Sequence, residues 1–371
     1  MNDAFFKSVH ISNFKSLKDV TLKDCKRINL LIGKPNVGKS NILEAIGLFS
    51  LPHIKYNKNK KITQFIRLEN ISELFSDGNI NTDITISVND DNFCTVKYYS
   101  DKFFNKPHFK LRQKNGDFKY TPLSEDTDCS FIHQQKDGEF ADFRINNSSK
   151  NTYIQLNNLL NLANLENHNL SKVKYYKFAP QFFTKKQNRS PSFLIPSVGN
   201  NLLEAIQKNG IDKELSTIFD EYGLKLMFDK TNQTLRIMKI LEDNAIVSFP
   251  YGSIADTLQR MIFFKTAIAS NEDSILLFEE PEAHCFPPYI AHFTQDVINS
   301  ENNQFFIATH SPYVLNDFLE TKETRNELAI FFADFKDGQT VINRLTDEEL
   351  EEIYDYGIDV FFNYERFTQH G

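Results

Sequence analysis

Apolar and polar positions alternate through residues 4–22 well enough for two strands around a turn at Asn13. Residues 27–32 then form a short apolar run, the pattern of a buried strand, and residues 41–49 change to the three-to-four spacing of a helix. Period two returns in 82–88, 93–99 and 109–113, with turn signals at Asp90-Asp91 and Asn115-Gly116-Asp117 between them. Leucines at helical spacing predict a helix over 153–165, and 201–222 reads as two helices broken at Asn209-Gly210. Residues 225–228 and 234–240 pair as strands across a tight turn, and 257–268 is strongly helical. Residues 274–279 and 304–308 are apolar runs of buried-strand length; 326–333 and 340–344 read as a hairpin, and 347–354 as a helix. The polar stretches 55–61, 125–150 and 187–192 read as loops.

Between the third strand and the first helix lies Gly33-Lys34-Pro35-Asn36-Val37-Gly38-Lys39-Ser40, which fits G-x-x-x-x-G-K-[ST] in full. Glycine at 33 and 38 lets the backbone wrap closely around phosphates with its N–H groups pointing inward. Lys39 supplies a cation to the β- and γ-phosphates, the Ser40 hydroxyl suits Mg²⁺, and the helix N-terminus at Asn41 adds partial positive charge. The run at 274–279 ends in Glu279-Glu280-Pro281, so a parallel strand delivers two carboxylates to the sheet edge where a phosphate loop also sits. One carboxylate, Glu279, can hold Mg²⁺ through its waters, and Glu280 can orient an attacking water. The run at 304–308 is tipped by Thr309-His310-Ser311-Pro312, whose histidine can reach a γ-phosphate.

Composition narrows the class. The chain has 371 residues, 40% hydrophobic and 25% charged, enough for one large globular domain or two. No apolar run approaches the ~20 residues of a membrane span. The start, Met1-Asn2-Asp3-Ala4-Phe5-Phe6-Lys7, lacks the apolar region of a signal peptide, and Cys25, Cys94, Cys129 and Cys285 show no metal or disulfide spacing. A cytoplasmic protein is expected, with no membrane contact. A net charge of −7 argues against a wholly basic nucleic-acid binder, while the basic 55–61 loop leaves a local DNA contact open.

The phosphate loop, the segment 275–284 (Ile-Leu-Leu-Phe-Glu-Glu-Pro-Glu-Ala-His) and the segment 307–312 (Ile-Ala-Thr-His-Ser-Pro) resemble the ABC-type ATPase heads of the RecF, SMC and OLD proteins. The likeness is greatest to the compact AAA-family ATPases of bacterial anti-phage defence, and residues 11–17 share it. It implies an α/β P-loop NTPase of ABC-head type: a mixed β-sheet flanked by helices, with an inserted β-rich and helical lobe. The expected division is 1–81 (phosphate-loop half of the head), 82–240 (inserted lobe and lid) and 241–371 (the half with signature-like segment, acidic strand end and switch histidine). By this resemblance the cofactors are ATP and Mg²⁺, Glu280 is the catalytic glutamate, His310 the switch histidine, and Gln64 a metal-side glutamine. Such heads place Leu-Ser-x-Gly-x at a helix N-terminus to contact ATP on the opposite subunit. Here Ala255 stands for the serine and Thr257 for the glycine, so Ser253 and Thr257 would make that contact, with slow or partner-stimulated hydrolysis.

Two other classes compete. The same phosphate loop occurs in GTPases, but Asn57-Lys58-Asn59-Lys60 lacks the aspartate that reads guanine and lies on the wrong side of Asp220-Glu221-Tyr222-Gly223. OLD proteins append a metal-dependent nuclease domain with Asp-x-Asp, and Asp355-Tyr356-Gly357-Ile358-Asp359 is not that pair. The expectation is therefore an ATPase that forms a homodimer or higher homo-oligomer through its ATP sites and regulates a separate effector protein, a nuclease by preference. A RecF-like DNA-repair clamp is the alternative.

Overall fold

The computed structural model describes residues 5–57, 60–89, 92–100, 109–114, 117–122, 139–147, 150–157, 160–166, 171–179, 190–220, 223–229, 232 and 234–368. The chain begins with an antiparallel hairpin, β1 (Val9–Phe14) and β2 (Leu17–Leu22), whose turn falls at Lys15-Ser16. Asn13 is left-handed (φ 56°) but lies inside β1, held there by its amide, which donates to the carbonyls of Asn79 and Thr82. β3 (Ile28–Ile32) is buried at all five positions and runs through the phosphate loop into α1 (Lys39–Gly47).

The chain then returns to the opening hairpin. β4 (Ile84–Val88) pairs with β1, β5 (Asn92–Ser100) with β4, and beyond the small hairpin β6 (Phe109–Lys114) and β7 (Asp117–Pro122) the sheet continues through β8 (Glu139–Asn147), β9 (Lys150–Asn157) and β10 (Leu162–Glu166). The result is a seven-stranded antiparallel sheet in the order β10-β9-β8-β5-β4-β1-β2. Here the structure corrects the helix expected over 153–165. Ile154 and Leu156 are the buried pair, two residues apart, opposite Phe143 and Ala141 of β8. Cross-strand packing outweighs the leucine spacing.

The second sheet positions the site. β11 (Val173–Tyr176) is followed by helices α2 (Leu202–Asn209) and α3 (Asp212–Asp220), then by a small sheet of β12 (Lys225–Asp229), β13 (Thr234–Ile240) and β14 (Ile246–Pro250). The expected break between the helices is present, with Gly210 left-handed (φ 66°) at the end of α2. α4 (Asp256–Ala269), β15 (Ile275–Glu279), α5 (Pro287–Asn299), β16 (Gln304–Ala308) and α6 (Pro312–Leu319) follow. After α7 (Lys322–Asn326) the chain makes the hairpin β17 (Leu328–Lys336) and β18 (Gln339–Arg344), then α8 (Asp347–Tyr356) and α9 (Tyr364–Thr368). The strand order is β11-β15-β16-β3-β17-β18, parallel except for the β17–β18 pair.

Nearly every side chain of the parallel strands is buried, as expected of a sheet covered on both faces. On one face Ile42, Leu43, Ala45 and Ile46 of α1 share a core with the antiparallel sheet and with Tyr175, Leu277 and Phe306. On the other, α2, α4, α5, α6 and α8 pack against Leu276, Phe278, Phe305, Ile307 and Ile330. α1 is therefore clamped between two sheets, and its N-terminus faces the carboxyl ends of β3, β15 and β16. This is the mixed α/β fold of a P-loop NTPase, with the ligand edge where an open parallel sheet places it.

Candidate functional site

The phosphate loop is built against β17 and β18. Gly33 (φ 149°) lies so close to β17 that a Cβ there would stand 2.3 Å from the Ala333 carbonyl oxygen. Gly38 (φ 103°) would meet Thr340 Oγ1 at 2.1 Å and Ser16 Oγ at 2.8 Å. Those two hydroxyls form a brace: Thr340 Oγ1 donates to the Val37 carbonyl at 2.8 Å and lies 2.7 Å from Ser16 Oγ, which accepts from Asn41 at 2.8 Å. Lys34, Pro35 and Asn36 form the exposed crest, with Lys34 over the Tyr364 ring at 4.9 Å, while Val37 is buried beneath.

Lys39 is 5% exposed and its ammonium donates to the carbonyls of Gly33 and Lys34 at 2.8 and 2.7 Å. Burial pushes its pKa down to about 8, opposed by Glu280 and Glu282. A cation parked on its own loop's carbonyls is positioned for phosphate oxygens that enter the loop.

Glu279 ends β15 with its carboxylate fully engaged. One oxygen pairs with Arg67; the other accepts from Tyr175 Oη at 3.0 Å and lies 3.6 Å from Lys177 Nζ. Burial would raise its pKa, but Lys177, a hydrogen bond from Ser40, Arg67 and Tyr175 outweigh burial and hold the group below the usual range. The structure thus brings Ser40 and Glu279 together as a hydroxyl–carboxylate pair of hard oxygen donors, which suits Mg²⁺ with several waters. With that ion and a nucleotide bound, Ser40 and Glu279 would hold the metal, which would neutralise phosphate charge. The loop and Lys39 would hold the phosphates.

Glu280 and His310 leave adjacent strands side by side. Glu280 is left-handed (φ 44°), its N–H donates to Ala308 at 2.9 Å, and its carboxylate lies 3.5 Å from His310 Nε2. Burial and then Lys39 lower the His310 pKa, with Glu280 opposing, so the ring is predominantly neutral at pH 7 and can accept or relay a proton.

Other expected residues lie elsewhere. Gln64 sits in a short 3-10 turn, its carbonyl accepting from Ser197 Oγ at 2.5 Å and its side-chain oxygen buried with no partner among the described residues. Arg67, three residues on, makes the contact to Glu279, and it also donates to Glu44 at 3.2 Å. Ser253 is exposed in a 3-10 turn and does not cap α4; Ala255 is the capping residue, without a side-chain bond. Thr257 donates to the His284 carbonyl at 2.7 Å, and Arg260 reaches the Glu280 carbonyl at 3.4 Å. The first turn of α4 is thus tied to the turn after β15 in the same chain.

Sequence reasoning missed Glu44, Arg67, Ser16, Thr340 and Glu282. Glu44 is fully buried on the phosphate-loop helix, where Lys15 and Arg67 neutralise it. A glutamate on the apolar face of that helix (Ile42, Leu43, Ala45, Ile46) was the readable signal; its partners are far away in sequence. Among the described residues no helix is long and apolar enough to cross a membrane.

The family model described as "AAA domain, putative AbiEii toxin, Type IV TA system" matches residues 28–316. The chain is 31% identical over 101 residues to protein ea59 of Escherichia phage lambda, covering 26% of this chain and 17% of that one. It is 28% identical over 109 residues to an uncharacterized protein of Methanocaldococcus jannaschii, covering 27% and 50%. The chain therefore spans half or less of these relatives' lengths. Similar solved structures include an SMC head bound to the C-winged helix domain of ScpA (15% identity, 93% and 99% coverage, TM-score 0.47) and the SMC head domain from Thermotoga maritima (12%, 92% and 99%, 0.39). The fold assignment rests on the strand order and the family model. That model spans the phosphate loop, both strand-end glutamates and His310, and the chain belongs to this AAA-domain family.

Proposed function

We propose that this chain binds Mg-ATP, hydrolyses it slowly, and closes as a head-to-tail dimer around two ATP molecules to regulate a separate effector in anti-phage defence. The observation that carries the chemistry is the convergence of Lys39, Ser40–Glu279 and Glu280–His310 at the carboxyl ends of three neighbouring strands. Lys39 binds phosphate, Ser40 and Glu279 fix the metal side, and Glu280 orients and deprotonates water while His310 steadies the transferred charge. Dimer closure draws on the exposed Ser253 turn. Because Thr257 and Arg260 bond the turn that carries Glu280 and His284, a partner that moves α4 also moves Glu280.

The regulatory part draws on the family description, which names a toxin of a toxin–antitoxin system, a two-component arrangement. The 82–240 lobe is the docking surface in this reading. Phosphate release from ATP and GTP, beside sedimentation with and without Mg-ATP, tests the ATPase and dimer. Glu280→Gln keeps ATP and loses about two to three decades of turnover, as expected for a missing general base. Equal turnover by Glu280→Gln and wild type would falsify the assignment, and a monomer with ATP bound would remove the dimer. Co-purification under native expression tests the effector; protection of DNA ends by the chain alone would favour a repair clamp.

A further inference from the structure

Glu282 lies in the turn after β15, outside the residues to which the ATPase reading gives a role. Its Oε1 accepts two bonds from the exit of β16: from Thr309 Oγ1 at 2.6 Å and from the His310 N–H at 2.9 Å. Thr309 Oγ1 accepts in turn from the Ser311 N–H at 3.0 Å. One carboxylate oxygen therefore fixes both the side chain and the main chain of the turn that presents His310. The other oxygen, Oε2, is buried with no partner among the described residues, an arrangement that costs stability. Burial pushes the carboxyl above its ordinary value, with the Thr309 and His310 bonds opposing.

We propose that Glu282 is a positioning residue for hydrolysis: it clamps the Thr309–His310 turn onto the turn that carries Glu280 and so sets the spacing of the Glu280–His310 pair. The proposal rests on the ATPase reading for its kinetic consequence but not for its geometry. The pair stands at 3.5 Å, beyond good hydrogen-bond distance, so a small shift of either turn decides whether the two groups act together. Lys39 lowers and Glu280 raises the His310 pKa, so a change in the spacing of the pair alters the ring's titration.

The test uses the full chain, with Glu282→Ala, Glu282→Gln and Thr309→Val. A glutamine oxygen at 282 can still accept both bonds; alanine removes them, and valine removes the hydroxyl donor alone. In nucleotide-free protein, histidine NMR titration, assigned with His310→Gln, should show His310 moving up toward the ordinary value in Glu282→Ala, as its turn loosens and the ring gains solvent. Glu282→Gln should match wild type, and Thr309→Val should fall between. In turnover, Glu282→Ala should lower kcat roughly tenfold to a hundredfold with ATP affinity kept within about twofold, and Glu282→Gln should restore it. An unmoved His310 in Glu282→Ala overturns the clamp, as does equal loss of kcat and ATP affinity with His310 unmoved. If Glu282→Ala does not fold, Thr309→Val against Glu282→Gln carries the same comparison. If wild type binds ATP without hydrolysing it, the ATPase reading fails and the His310 titration alone still decides the clamp.

Discussion

The two ends of the six-stranded sheet treat buried polar groups in opposite ways. At the amino ends of the strands, nearly every such group is satisfied within the protein. Gln304 receives the Phe6 N–H at 2.8 Å and donates to the carbonyls of Phe6 and Lys26. Arg27, 8% exposed, donates to the carbonyls of Val297, Ile298 and Ser300 at the end of α5 and to Glu327. Lys174 is held by Asn271 and Ser274. At the carboxyl ends, Glu282 Oε2 has no partner among the described residues, and Glu280 and His310 stand 3.5 Å apart. A closed polar network fixes a fold; one left partly open is stable only because the rest of the molecule supports it, and it is where a ligand can complete the bonds.

The largest effect that this contrast predicts is at Lys39. Lys39→Ala removes the buried cation of the open end, and ATP binding should weaken by about 4 kcal/mol, roughly a thousandfold, to below detection. Its folding stability should change little, since the Lys39 ammonium bonds only two loop carbonyls. Calorimetric titration of ATP with parallel denaturant melts checks both. A variant that loses fold and ATP together would show that the open end is structural after all.

Arg27→Met is the reciprocal change at the closed end. It keeps much of the stem's volume but leaves three carbonyls at the end of α5 uncapped and Glu327 without its partner. Unfolding free energy should drop by about 3 kcal/mol, with ATP affinity unchanged in the folded fraction. A stability loss below about 1 kcal/mol would mean that water replaces the guanidinium easily, and the contrast between the two ends would weaken.

What the sequence made legible follows the same division. The phosphate loop, the strands at 27–32, 274–279 and 304–308, the final hairpin and the two helices seen at Leu202–Asn209 and Asp212–Asp220 are local patterns, and the structure has each of them. The groups that brace the loop are not local. Ser16 and Thr340 meet across the whole chain, and Arg67 reaches Glu279 over 212 residues. Nothing in the spacing of either partner signals such a contact. The bond from the Thr257 hydroxyl to the His284 carbonyl is equally non-local, formed because the turn after β15 packs against the start of α4. The helix expected over 153–165 failed for a related reason: its leucine spacing is helical, but the neighbour that buries Ile154 and Leu156 is a strand.

The smallest effect concerns His53, a buried group beside the closed end that is not fully satisfied. His53 is completely buried; its Nδ1 lies 3.0 Å from the Ser50 carbonyl and so carries the proton, while Nε2 has no partner among the described residues. Burial, opposed by that bond and aided by Lys174 and Lys55, lowers its pKa to about 3 from an ordinary 6.5. The folded-state value is depressed for a base. Above pH 6.5 both folded and unfolded chains carry neutral His53, and the group has no pH-dependent effect. Between 6.5 and about 3 the unfolded chain takes up a proton that the folded chain refuses, so stability falls as pH falls. Between pH 7 and pH 5 that difference is about 2 kcal/mol. His53→Leu removes the titrating ring and should remove this part of the acid sensitivity, whatever it does to stability at pH 7. Denaturant midpoints of both proteins at pH 7 and pH 5 measure it: the wild type should lose more than the variant by that amount. Equal losses would show that His53 is reached by water or proton donors at acid pH, and that the closed end is less closed than its hydrogen bonds make it.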